Sequence, residues 1–437
     1  MTTSIEYLYA CYLGSAGVSI DTRTMPKGCL FFAIRGDRFD GNRFALQALQ
    51  GGAAYAVVDD PALAGHDRCL LVGDTLRALQ DLARHVRRQY GVKVLAITGS
   101  NGKTTTKELC HAVLSEAYRV HATPGNFNNH IGVPLTLLSM PAVTEVAVVE
   151  MGDNRRGDVA ELCRIAEPDY GIITNVGKDH LEGFGSFEGN VRAKAELFEY
   201  LAEQGGVALV SSQDPIVSGL AKELLRGGEG AGPKHPQVVW YGAPGDAHCL
   251  RLTAEWPFLA YADEAGREVG TQLFGRYNFY NVQAAHCVGR EFAVPEAAIS
   301  RGIAGYVPLN NRSQVLRRGG HTIVLDAYNA NPSSMQAALE SFAAWPAGLP
   351  KVAVLGDMLE LGGISEEEHA AMAAYAQGLP LEAWCCGAHF RRAVPDAPED
   401  PLALLPRLRA LPPSAILLKG SRGMRLERLL DAFGEQG

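Results

Sequence analysis

At 437 residues the chain is longer than one hydrophobic core usually serves, so two or three domains are expected. Forty basic against forty-eight acidic residues give a net charge of -8, which argues against a sequence-independent nucleic-acid binder and leaves room only for local basic sites. The nine cysteines form no C-x-x-C pair, no run approaches the roughly 18 apolar residues of a membrane span, and Met1 to Gly14 lacks a signal peptide's basic flank. The expectation is a cytoplasmic protein with reduced thiols, without membrane insertion.

To about Tyr90 the chain mixes short strands and helices: Gly28 to Ile34 and Ala54 to Val58 read as strands, Arg43 to Gly51 as a helix. This predicts a small α/β domain over residues 1–90. Asp21-Thr22-Arg23 and the stretch Arg35 to Asn42 gather hydroxyl, guanidinium and aromatic groups at strand ends. They suit a uridine diphosphate, with Arg on phosphate and Phe39 on the base, or they are solvated turns.

A helix from Leu76 to Tyr90 leads to a boundary near Gly91. The apolar run Val92 to Ile97 then reads as a buried strand, Gly99-Ser100-Asn101-Gly102 as a tight turn, and Lys103 to Ser115 as a helix. Strand, phosphate loop and helix in that order cradle a polyphosphate on backbone N–H groups, with Lys103 reaching the outer phosphates and the Thr104 hydroxyl available to Mg²⁺. The first glycine of the usual pattern is replaced by Ile97, so the loop is a shortened version and an ordinary GTPase or motor loses ground.

The Gly-, Asn- and Pro-rich stretch Thr123 to Pro134 reads as a loop whose amides orient a substrate or make a turn. The strand Glu145 to Met151 carries Glu150 at its carboxyl end, where ligands of an open parallel sheet sit, so Glu150 is a Mg²⁺ candidate or else a cap for the Gly-Asp-Asn turn behind it. Tyr170 to Val176 delivers His180 to the same edge, a candidate for a second cation. Helix Phe187 to Ala202 carries Lys194. Strand Gly206 to Ser211 and helix Asp214 to Leu225 continue the alternation, which breaks at Gly227 to Gly232. The short strands from Gln237 to Phe274, Val238 to Tyr241 among them, read as an antiparallel extension. Gly275 then feeds a helix that places Asn278 and Asn281 on one face, to pair with adenine or to cap the helix. These elements make a central domain over residues 91–308.

Residues 309–437 alternate again: strands Thr322 to Leu325, Val352 to Leu355, Glu382 to Cys386 and Ala415 to Leu418, with helices Ser333 to Trp345, Glu366 to Ala376, Leu402 to Leu411 and Met424 to Phe433. Ser365 and Glu368 read as a capping box. Three strand ends, Asp326 to Pro332, Gly356 to Gly362 and Lys419 to Arg422, converge on one rim, a ligand site by the switch-point rule. The expected architecture is three α/β domains: a small one, a phosphate-loop domain with a mostly parallel sheet and an antiparallel extension, and a Rossmann-like doubly wound one.

Taken together, Thr98 to Glu108, Gly125 to Pro134, Glu150, His180 to Gly185, Arg276-Tyr277-Asn278, Asp326 to Pro332, Gly356-Asp357-Met358 and Lys419 to Arg422 resemble the Mur ligases along the whole chain. The resemblance implies an ATP-dependent amide ligase of peptidoglycan synthesis, most similar to the members that join D-alanyl-D-alanine to UDP-N-acetylmuramoyl-tripeptide through an acyl phosphate. It further implies that Gly99, Ser100, Asn101, Gly102, Lys103, Thr104 and Thr105 hold the phosphates and that Asn278 and Asn281 face adenine. Arg312 and Asp326 would reach the nucleotide, Thr104 and Glu150 the first Mg²⁺, and His180 and a carbamylated Lys194 the second. Thr22, Arg23 and Asn42 would face UDP, and Asn128 and Asn329 the peptide. By the same resemblance Lys103, Glu150, His180 and Lys194 would be the catalytic set, and a monomer is expected. Two positions depart from the family pattern: Pro308-Leu309-Asn310-Asn311-Arg312 replaces a Pro-Gly-Arg linker, and Lys178-Asp179 precedes His180 where small residues are usual. The alternatives are a sister ligase adding the third amino acid, against which stands the lack of an Asp-Asn-Pro-Arg motif, a folylpolyglutamate synthase-like ligase, which leaves residues 1–90 without a role, and a binding module that hydrolyses ATP without joining anything.

Overall fold

The computed structural model describes residues 2–36, 39–177, 181–227, 237–346, 348–359 and 361–434. A four-stranded sheet comes first, in the order Val18–Ser19, Leu30–Phe32, Tyr55–Val58, Cys69–Leu71, all parallel. Its link to the next layer is the helix Thr75–Tyr90, which starts where Asp74 accepts the Arg77 N–H at 2.8 Å and stops at Gly91 in the left-handed region. Leu79, Leu82, Ala83 and Val86 bury its apolar face.

The central sheet has six strands in the order Gln237–Tyr241, Val207–Ser211, Tyr170–Ile173, Lys93–Thr98, Val146–Glu150, Val120–Ala122. All are parallel, and continuous apolar runs such as Val94 to Ile97 and Val146 to Val149 are buried on both faces. Gln237–Tyr241 was expected in the antiparallel extension; instead it pairs parallel with Val207–Ser211, Val207 opposite Gln237. The extension proper is the three-stranded antiparallel sheet Arg251–Ala254, Ala260–Ala262, Glu268–Gly270. The Asn-rich loop ends earlier than expected, because a helix begins at Gly132, where a Cβ would come within 2.4 Å of the Phe127 backbone.

The last sheet runs Gln314–Arg318, His321–Asp326, Ala415–Lys419, Lys351–Gly356, Glu382–Cys386, parallel except for the first pair. Two expectations fail here. The capping box at Ser365 is absent: the turn Gly362–Ile364 runs straight into the helix Ser365–Gln377, so Ser365 is already helical and its Oγ meets His389 Nδ1 at 3.1 Å. The helices expected over 402–411 and 424–433 are mostly 3₁₀ turns, Pro401–Leu404 and Leu426–Ala432, with only Leu405–Arg409 α-helical. Pro401 and Pro406 leave too few backbone donors for a longer ladder. All nine cysteines are free, and among the described residues no helix is long and apolar enough to cross a membrane.

Candidate active site

The central and last sheets meet over a cavity of about 740 Å³. In-register pairing fixes one wall: Ile97 lies opposite Glu150 and Thr98 opposite Ile173, so the turn after Thr98 and the carboxylate of Glu150 emerge side by side. Gly99 (φ 134°) and Gly102 (φ 82°) let the turn reverse, and neither has space for a side chain. A Cβ on Gly99 would stand 2.1 Å from Thr174 Oγ1, one on Gly102 2.5 Å from Asn281 Oδ1. The helix Lys103–Leu114 follows at once, so its first N–H groups point into the cavity. Lys103 folds its ammonium onto the Gly99 and Ser100 carbonyls.

Glu150 is buried. Its backbone N–H donates to Thr123 Oγ1 at 2.9 Å, Oε1 accepts from Asn128 Nδ2 at 2.9 Å, and Oε2 has no hydrogen-bond partner. Thr123 is itself held through its carbonyl by Lys107 Nζ at 2.7 Å, a fully buried lysine one helical turn behind Lys103. Sequence reasoning passed over Lys107, although a lysine four residues after Lys103 shares its helix face. It also passed over Asp153, whose Oδ2 accepts from Lys194 Nζ at 3.0 Å with both side chains buried. Lys194 also donates to Asn190 Oδ1 and lies 5.0 Å from the Phe184 ring centroid. It was expected either on a solvated face or as a carbamate; the solvated face is excluded, because the side chain is fully buried beside Asp153, behind the cavity wall. His180, with Lys178 and Asp179, lies outside the described residues.

The opposite wall comes from the last sheet. Arg312 lies over the Tyr328 ring at 3.7 Å, Asp326 pairs with Lys419 at 2.9 Å, and Lys419 also donates to the Asn329 carbonyl at 2.8 Å. Asn310, Asn311 and Ser313 in the linker have φ of 59°, 59° and 49°. The linker thus enters the left-handed region without a glycine, which asparagine tolerates better than most other side chains. The two walls are joined directly: Asn101 Nδ2 donates to Ser333 Oγ at 3.0 Å and Asn101 Oδ1 accepts from Asn331 Nδ2 at 2.8 Å. Tyr277 and Ser313 share a hydroxyl contact at 2.8 Å, and Phe274 packs edge-on against Trp345.

Ser100, Asn101, Gly102, Lys103, Thr104, Thr105, Asn128, Glu150, Asn278, Asn281, Arg312, Asp326 and Asn329 thus come together around one cavity. The amides of Asn278 and Asn281 are spent within the protein: Asn278 donates to the Phe274 carbonyl at 2.7 Å, Asn281 donates to Asn278 at 2.9 Å and accepts from Thr106 Oγ1 at 3.1 Å. They support the phosphate loop from behind. Thr22, Arg23 and Asn42 are not among the residues lining this cavity. Arg23 is an exposed partner of Asp21 at 2.6 Å, and its hydrogen bonds hold that carboxyl down at about 2. Asn42 is buried and uses its amide on Asp40 and Asp59. Asp357, from a rim motif, caps the helix Ala388–Ala393 through the His389 and Phe390 N–H groups.

The residues present fit a magnesium-bound polyphosphate: two glycines where a Cβ would collide, helix N–H groups and a lysine for the phosphates, and bare carboxylate oxygens on Glu150 and Asp153 for a cation. Fold and site together define a phosphate-loop nucleotide enzyme whose active cavity is completed by a second α/β unit. Models of known families match the chain in three consecutive stretches: Mur ligase family, catalytic domain, over residues 15–87; Mur ligase middle domain over 97–289; and Mur ligase, glutamate ligase domain, over 311–405. The chain is 34% identical over 433 residues to the UDP-N-acetylmuramoyl-tripeptide--D-alanyl-D-alanine ligase of Bacillus subtilis (strain 168), covering 95% of this chain and 92% of that one. The crystal structure of MurF from Acinetobacter baumannii superposes with a TM-score of 0.86 at 29% identity over 99% and 98% of the two chains. That of MurF ligase from Thermotoga maritima in complex with ADP gives 0.84 at 28% identity over 97% of each. The chain belongs to the Mur ligase family and is an ATP-dependent ligase.

Proposed function

We propose that the chain joins the amine of D-alanyl-D-alanine to the terminal carboxylate of UDP-N-acetylmuramoyl-tripeptide, with ATP and Mg²⁺. The observation that carries this reading is the single cavity lined jointly by the phosphate loop, Glu150 and the Asp326–Lys419 rim, in a chain similar over nearly its whole length to ligases of that name. ATP supplies a phosphoryl group to the substrate carboxylate, and the amine then displaces phosphate from the activated carbonyl, losing a proton as the amide forms. The protein's work is placement and charge neutralisation. Lys103 and the N–H groups of residues 99–105 hold the phosphates; Thr104 and Glu150 hold Mg²⁺; Arg312 and Asp326 reach the nucleotide from the other wall; Asn278 and Asn281 keep the loop in register beside the base.

The same reading divides the chain into a UDP-binding unit (1–90), an ATP-binding unit (91–308) and a ligase unit (309–437). Thr22, Arg23 and Asn42 would serve the uridine end and Asn128 and Asn329 the peptide end, a separation that suits a long substrate. The test is ADP release with each pairing of UDP-linked peptide and amine, with the product weighed by mass spectrometry. Release is expected only when UDP-N-acetylmuramoyl-tripeptide and D-alanyl-D-alanine are both present. Turnover with the UDP-linked dipeptide and a diamino acid would instead make it the sister ligase, and ADP without a new amide would leave an ATPase module.

His180 and a carbamate on Lys194 belong to this reading as ligands of a second cation. Lys194→Ala should lose ligation and regain part of it when acetate or another short carboxylic acid is added. No regain in a folded variant removes the carbamate.

A further inference from the structure

The fully buried imidazole of His369, on the helix Ser365–Gln377, has no part in the reaction as derived above. Its two nitrogens have opposite jobs. The Met358 N–H donates to Nε2 at 3.0 Å, so Nε2 carries no proton, and the Nδ1–H donates to the Ser365 carbonyl one turn back at 2.6 Å. The Asp357 carboxylate lies 3.8 Å from Nε2, but its two oxygens already accept the helix N–H groups of His389 and Phe390, so it is not waiting for an imidazolium. The other titratable groups facing the ring among the described residues are His389, stacked at 5.3 Å, and Glu368 on the same helix. Burial holds the His369 pKa below its ordinary value, the sense a neutral ring requires.

What His369 holds is a strand end of the rim. Leu359, next to Met358, donates its N–H to Ser421 Oγ at 2.9 Å, and the Asp357 carbonyl accepts the Ser421 N–H at 3.1 Å. The two strand ends also touch, since a Cβ on Gly420 would stand 3.0 Å from the Gly356 Cα, and a shift of one backbone therefore displaces the other. Lys419 comes directly before Gly420, and its ammonium holds Asp326 and the Asn329 carbonyl on the cavity wall. We propose that His369 is a positioning residue for ligation: as the neutral imidazole with its proton on Nδ1, it holds Asp357 to Leu359 against Gly420 and Ser421 and so keeps Lys419 and its partners in place. The assignment rests on the reading of this cavity as the ligation site and adds to it a residue outside the wall.

The test compares two substitutions whose order the proposal reverses. Ligation is measured with saturating UDP-N-acetylmuramoyl-tripeptide, D-alanyl-D-alanine, ATP and Mg²⁺, well below each variant's melting temperature. His369→Gln keeps a carbonyl oxygen for the Met358 N–H and an N–H for Ser365, and its kcat is expected to stay within about threefold of the parent. His369→Leu is of similar size but leaves the buried Met358 N–H unpaired, and its kcat is expected to fall at least about tenfold. A ring that only filled space under the helix would give the opposite order, because leucine suits a dry core and glutamine does not. A folded His369→Leu as active as His369→Gln overturns the proposal. If His369→Leu does not fold, His369→Gln decides alone, and a loss beyond about threefold overturns it. Hydrogen exchange in the unaltered protein needs no variant: peptides covering Met358 and Leu359 are expected to exchange at least about 100-fold more slowly than an unfolded chain, and unprotected amides overturn the proposal whatever the variants do. If neither variant folds, that measurement decides. Absence of ligation by the unaltered protein overturns the reading of the cavity and the positioning role with it.

Discussion

Replacing Lys103 by methionine is expected to give a folded protein whose ligation rate is lower by about 10²–10³-fold, the loss of about 2.7–4 kcal/mol of transition-state stabilisation that one preorganised charge-stabilising donor provides. Methionine keeps the helix propensity of the first position in Lys103–Leu114, and the half-buried side chain leaves no large void. What disappears is the only lysine in the turn that follows Thr98, at the point where the outer phosphates must be held. Steady-state rates at saturating substrates, read beside a melting curve, check this. Activity within about threefold of the parent at an unchanged melting temperature would mean that the loop does not hold the reacting phosphate.

The second large effect is on stability. Lys419 is buried, and its ammonium serves Asp326 at 2.9 Å and the Asn329 carbonyl at 2.8 Å. Lys419→Met fills the same volume but leaves Asp326 mostly buried beside an apolar chain, and breaking a buried pair in this way costs about 3–5 kcal/mol. Adding Asp326→Asn removes the uncompensated charge, so the double variant is expected to recover a large part of that loss in denaturant unfolding. Activity should stay low in both, because the rim no longer presents Asp326 as a carboxylate fixed by Lys419. A single variant within about 1 kcal/mol of the parent would mean that the pair does not organise this wall.

The phosphate loop was legible because three local signals coincide there: a continuous apolar run, glycines at 99 and 102, and a helical period starting at Lys103, all of which the structure places within a residue of expectation. Signals that depend on distant partners were not. Gln237–Tyr241 has the composition of any half-buried strand, and nothing in its alternation says that Val207–Ser211 is the neighbour. At Ser365 a sound local signature lost to the turn upstream, which had already started the helix. Asp153 follows Glu150 in what reads as a helix-entry loop, and its partner Lys194 lies 41 residues on, so neither the burial nor the pairing of the two is written locally. The spacing of Asn278 and Asn281 gave their shared face correctly but not their partners, which include a threonine 175 residues away.

The hydrogen bonds from Asn101 to Asn331 and Ser333 carry a consequence for inhibition. A compound that touches only the glycine turn meets the abundant cellular nucleotide as an equal competitor. One that reaches from the turn to Lys419 rivets the central and last sheets together, and its escape must wait until that seam parts, so its residence time is set by the protein's own breathing rather than by its contacts alone.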